Sequence, residues 1–155
     1  MAPRVLAARW WLAAAVVAAL TTAAWFGTGL VARQRLGASV PPQQDLGALP
    51  AAVRDAVVAA DQLARSTPGP RTIGALGRAY HAAQVGDGAL AAYRAAESLA
   101  PEDWTWTYLR GLLLEERGAP EATNAFRRVT EAAPETGHAW FRLAEAHFKA
   151  GRLDE

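Results

Sequence analysis

Apolar residues follow three different rules along this chain. From Trp10 to Ala32 they dominate, with no charge between Arg9 and Arg33. From residue 51 onward they recur every three or four positions with charged residues between them, the signature of amphipathic helices. Between these regions, residues 33–50 show no sustained period and carry Pro41-Pro42, Pro50, glycines and glutamines.

The first regime predicts a transmembrane helix over 10–32. At a rise of about 1.5 Å per residue it is on the order of 35 Å long, enough for a hydrocarbon core of about 30 Å. Trp10 and Trp11 open the run and Trp25 and Phe26 lie near its far end, where amphipathic rings favour the headgroup region. The competing reading is a cleaved signal peptide, with Arg4 and Arg9 as its basic start and Thr22-Ala23-Ala24 as the cleavage site. The apolar run continues past that site, which favours the uncleaved anchor. Arginines flank both ends, so charge barely decides orientation. A short cytoplasmic tail over 1–9 puts the soluble part outside the membrane.

Paired prolines lack amide donors and favour extended chain, so 33–50 reads as a Pro-rich linker lifting the domain off the bilayer. After Pro50, Val53, Val57, Ala60 and Leu63-Ala64 form one helical stripe, with Arg54, Asp55, Asp61 and Arg65 opposite. Ser66-Thr67-Pro68-Gly69-Pro70 stops it, giving a capping helix over 51–66.

Beyond Pro70 the pattern repeats itself. Ala89, Tyr93 and Pro101 recur 33 residues later as Ala122, Phe126 and Pro134. Gly77 recurs as Gly111 and then as Ala144, and Gly118 as Gly151. The small residues allow two helices to approach closely, the aromatic fills the space between units, and proline ends each second helix.

These residues resemble the tetratricopeptide repeat family, of the N-terminally membrane-anchored bacterial type, from about Pro70 to the end. The first unit (70–103) supplies Ile73, Leu76, Gly77 and Tyr80, then Ala89, Tyr93, Ala96 and Pro101. A second spans 104–136. A third (137–155) supplies Trp140, Leu143, Ala144, His147 and Gly151 and stops short of its second helix. The resemblance implies an all-α fold, a right-handed α-solenoid of helix hairpins following the membrane helix.

The second unit departs from the pattern. With Gly111 as the close-approach residue, Arg110 takes the place of a core leucine and Thr107 that of a tryptophan, and Trp106 falls at the rim. With Trp106 and Leu109 as the core pair, Gly111 leaves its site. The first register is favoured, with one residue missing near Gly118-Ala119-Pro120. A solenoid ending inside the third unit exposes Trp140, Leu143 and Phe148, so the chain is expected to be a fragment of a longer product or to be covered there by another chain, stacking on further repeats or on itself.

Composition narrows the chemistry. With no cysteine there is no disulfide framework, thiolate zinc site or covalent haem attachment. Arg4, Arg9, Arg33 and Arg35 sit in or beside the N-terminal segment; setting those four of 16 bases aside leaves 12 against 15 acids, which argues against nucleic acid. His138 and His147 are not at the spacing that places two metal ligands on one helix face, and His147 takes a tyrosine position of the family. Glu115-Glu116 and Glu102-Asp103, adjacent in sequence, point apart and cannot share a proton as a catalytic pair. No nucleophile elbow or phosphate loop is present. Gly74 and Gly77 form a helix-packing pattern, and Ala14 and Ala18 could pair membrane helices, though so alanine-rich a segment throws up that spacing by chance. No catalytic residue, metal or cofactor is expected.

The resemblance places the binding surface on the first helix of each unit: Arg71, Arg78 and His81; Tyr108, Leu112 and Glu115; His138, Phe141, Glu145 and Lys149. Such a mixed groove suits a peptide or protein partner. The family's chaperone-tail clamp needs asparagines and lysines, and this chain has only Asn124 and Lys149. The expected function is a membrane-tethered, non-catalytic interaction scaffold at a bacterial inner membrane, with envelope or cytochrome assembly as a setting. The alternative is the N-terminal part of an enzyme whose catalytic domain follows residue 155.

Overall fold

The computed structural model describes residues 36–149; the expected membrane helix (10–32), its tail (1–9) and residues 150–155 lie outside the described residues. No described helix is long and apolar enough to cross a membrane. The chain divides into two units, 1–38 and 39–155, and the described residues of the second carry six helices. These are α1 (Ala51–Ser66), α2 (Pro70–Ala82), α3 (Gly86–Leu99), α4 (Trp104–Glu116), α5 (Glu121–Ala132) and α6 (Gly137–Lys149). No strand occurs among the described residues, and each helix packs on its neighbours in sequence.

Local chemistry sets the boundaries. Pro70 opens α2 where its missing amide costs nothing. Asp103 caps α4, its carboxylate accepting from the Thr105 amide at 3.2 Å. The two intra-hairpin turns are the same structure: Val85 N–H donates to Tyr80 O and Ala119 N–H to Leu114 O, both at 2.9 Å. Each turn has a left-handed residue, Gln84 (φ 59°) in the first and Gly118 (φ 65°) in the second. Turn positions thus advance by 34 while Ala89 and Ala122 differ by 33, so the missing residue falls between Ala119 and Ala122.

The core is a row of aromatic rings seated on glycines. A Cβ at Gly77 would lie 2.7 Å from the Tyr93 ring and 3.2 Å from Ala92 Cβ; at Gly111, 2.8 Å from the Phe126 ring and 3.2 Å from Ala125 Cβ. Tyr93 and Phe126 are fully buried. The two hairpins are therefore the same packing unit, with Gly111 as the close-approach residue.

Within that register, one expectation fails and one substituted position finds its own solution. Trp106 is not at the rim: it is buried, its indole lying over Gly74, where a Cβ would collide with the ring. Arg110, in a core-leucine position, turns aside to Glu97 on α3, Nε donating to Oε2 at 2.8 Å, both side chains only 13% exposed. Glu97 also meets Arg128 of α5 at 2.7 Å. Burial works against its charge, but the Arg110 hydrogen bond and both guanidinium groups hold the carboxyl below the usual range.

The expected spacer and the helix after it are also corrected. Over residues 40–49 it is a strap folded against the solenoid: Val40 is buried, and Leu46 and Leu49 pack on the same core as Val57 and Ala64. Gln43 Nε2 donates to Asp61 Oδ2 at 2.7 Å and Arg65 Nη2 to Pro41 O at 3.0 Å. The strap covers Asp61, which was assigned to the solvent face; it is buried and grips Arg65 at 2.8 and 2.9 Å. Val53 and Leu63, assigned to the inner stripe, are exposed instead.

Candidate functional site

The first helices of successive hairpins are joined edge to edge by their side chains, forming one face across α2, α4 and α6. On α2, Arg71 is exposed and Arg78 lies with Cζ 5.8 Å from the centre of the Trp106 ring, a cation held over an aromatic face. His81 Nδ1 is 3.3 Å from the Tyr93 hydroxyl and Nε2 2.9 Å from Glu116 Oε2. Burial pushes the Tyr93 phenol up to about 12, so it stays protonated and can donate to Nδ1. That tautomer leaves Nε2–H to donate to Glu116, tying α2, α3 and α4 together.

The middle of the face is aromatic. Tyr108 meets His138 edge-on with ring centres 4.7 Å apart, Trp104 at 6.4 Å and Phe126 at 5.9 Å; Trp104 and His138 are 5.9 Å apart. Leu112 is half-buried against the Phe126 cluster. These rings already touch one another, so they form a continuous surface rather than a slot.

The far part is an ionic lattice. Glu115 receives Arg142 at 3.3 Å and Lys149 at 3.4 Å, and Glu145 receives the same two cations at 3.2 and 3.0 Å. Phe141 stands beside it, 66% exposed. The adjacent carboxylates point apart as their spacing requires: Glu115 towards α6, Glu116 towards α2. Neither is merely solvated. Arg78 and Arg71 have no carboxylate partner among the described residues, so the face carries its uncompensated positive charge at the α2 end.

Nine of the ten predicted residues thus join this row through side-chain contacts or stand on it; Leu112 faces inward as a wall. Sequence reasoning missed Trp104, Trp106, Glu116 and Arg142. Arg142 and Glu145 sit three apart on one helix and Trp104 and Tyr108 four apart on another, pairings readable from sequence; Trp106 and Glu116, and Trp104 towards His138, act across helices, and only the fold brings these together.

Neither a protein-family model nor a curated protein matches this sequence. Among solved structures, the fold is similar to that in the crystal structure of MamA, with a TM-score of 0.61 and 20% identity. The match covers 67% of this chain and 62% of that one, so the chain spans less than two thirds of its length. At that identity the likeness concerns the fold: a TPR-like, all-helical repeat.

Proposed function

We propose that this protein is a non-catalytic scaffold that binds a partner protein or peptide along the α2–α4–α6 face while residues 10–32 tether it to a membrane, with the repeats on the outer side. The observation that carries the reading is the face itself. Two hairpins and α6 stack through apolar residues, yet leave Phe141, Arg78 and the Tyr108–His138 pair in one row at the surface. Aromatic anchors beside a guanidinium are the side chains that dominate partner binding.

Crosslinking and affinity capture from solubilised membranes test it. Wild-type chain should recover a specific partner that Phe141→Ala and Arg78→Ala each lose. Both side chains are exposed, so neither substitution should disturb the far-UV circular dichroism. Recovery of the same background proteins by all three chains would remove the binding-face reading. The tether is tested separately, by fusing alkaline phosphatase after residue 40: activity is expected only if that point lies outside the membrane.

A further inference from the structure

Charge is distributed unevenly along the α2–α4–α6 face. Towards α6 two carboxylates meet two cations: Glu115 and Glu145 each lie within 3.4 Å of both Arg142 and Lys149. Glu116 is taken by His81. On α2 the exposed Arg71 and Arg78 meet no carboxylate among the described residues. They stand two turns apart on one side of the helix, roughly 10 Å along its axis. Between them is Gly74, where the Trp106 indole fills the place of a side chain and Arg78 is stacked on the ring. Stacking uses the flat face of a guanidinium and leaves its N–H edge open, already held in few rotamers. A donor edge of this kind is matched to a carboxylate.

We propose that the segment bound on this face is an extended acidic–apolar peptide, its side-chain carboxylates on Arg71 and Arg78 and its apolar residues on Tyr108 and Phe141; this rests on the binding-face reading above and adds the chemistry of the occupant. The repeat register sets the spacing. Gly74, Tyr108 and Phe141 hold one position in α2, α4 and α6, so the two arginines flanking Gly74 begin a line that crosses all three helices. Neighbouring first helices lie about 10 Å apart. A chain in polyproline II conformation has three residues per turn and rises about 3.1 Å per residue, so every third side chain points the same way, about 9 Å from the last. The matching pattern is acid-x-x-apolar-x-x-apolar. Only the α2 end rewards an acid, because the cations at the α6 end are already paired. A nucleic-acid backbone fits poorly: it carries charge at every step and would run onto Glu115, Glu116 and Glu145. The recognised carboxylates belong to side chains, so a blocked C-terminus should bind as well as a free one.

The test uses the full chain in uncharged detergent micelles and a fluorescein-labelled, C-terminally amidated peptide, Gly-Glu-Glu-Ser-Ser-Leu-Ser-Ser-Phe-Gly. Saturable anisotropy is expected, weakened at least about tenfold when both glutamates become glutamine and lost when both become lysine. Arg71→Gln and Arg78→Gln should each weaken the glutamate peptide about tenfold and leave the glutamine peptide nearly unchanged, a coupling that a merely structural arginine would not show. Both arginines are exposed, so these variants should keep the wild-type circular dichroism. Absence of saturable binding, or equal affinity for the glutamate and lysine peptides, would overturn the proposal. If that happens while capture from membranes is still lost on Phe141→Ala, the acidic chemistry falls and the binding face stands. If Phe141→Ala recovers the same proteins as wild type, the face falls and the proposal with it.

Discussion

The Arg110–Glu97 pair offers the sharpest test of how the two hairpins are held together. Arg110→Leu supplies the side chain that the repeat pattern calls for, and pattern alone predicts a gain. The structure predicts a loss. Both partners are 13% exposed and the contact is 2.8 Å, so Glu97 would lose its best-buried cation. It would keep Arg128, itself 56% exposed, and a hydrogen bond with Thr107. A charge-assisted hydrogen bond contributes roughly 1.5–3 kcal/mol, and stranding a buried carboxylate completely costs about 3–5. With Arg128 remaining, we expect about 2 kcal/mol, a fall in Tm of about 8 °C for a domain of this size. Thermal unfolding at pH 7 followed by circular dichroism measures it. In the cycle with Glu97→Leu, the double variant should recover at least about 1 kcal/mol relative to the sum of the singles. A neutral or stabilising Arg110→Leu, with additive singles, would refute the argument.

Three further outcomes follow from the same coordinates. Gly111→Ala should destabilise by about 1 kcal/mol: helix propensity gains about 1, but the new Cβ meets the fully buried Phe126 ring at 2.8 Å, and overpacking costs about 1–3. Asp61 and Glu97 are both held below their ordinary values of 3.8 and 4.5, against the cost of burial, by the Arg65 and Arg110 hydrogen bonds respectively. A lowered carboxylate stabilises above its unfolded value, so unfolding free energy should be flat in these groups from pH 7 to about 5.5 and fall with further acidification; denaturant titrations across that range check the sign. Gln43→Ala should cost about 1 kcal/mol and speed amide exchange in α1 selectively, because it removes the 2.7 Å donor to buried Asp61.

Much of the fold was legible because its signals are local or periodic. Gly77 with Tyr93 and Gly111 with Phe126 needed only the spacing of small and aromatic residues, and Pro70, Pro101 and Pro134 marked helix limits. What escaped was decided by partners remote in sequence. The solvent face of α1 looked polar because nothing local says that residues 40–49 return to cover Asp61. Trp106 looked peripheral because its position in the repeat is not a core one; the space it fills exists only because Gly74, 32 positions earlier, lacks a side chain. On the α2–α4–α6 face, helical spacing found the row of first-helix residues but not which of them pair. Glu115 reaches cations 27 and 34 residues away, beyond any local rule.

The indole of Trp106 fits over Gly74 as a key fits its own lock, and no other repeat has that lock. The positions corresponding to Gly74 hold Tyr108 and Phe141, and those corresponding to Trp106 hold Thr72 and Ala139. The hairpins are therefore not interchangeable bricks. Duplicating the second behind itself would drive Trp106 of the copy against Tyr108 of the original, and exchanging the two would leave Gly74 with no ring to fill it. The linear order of the array is written into a single matched pair of residues.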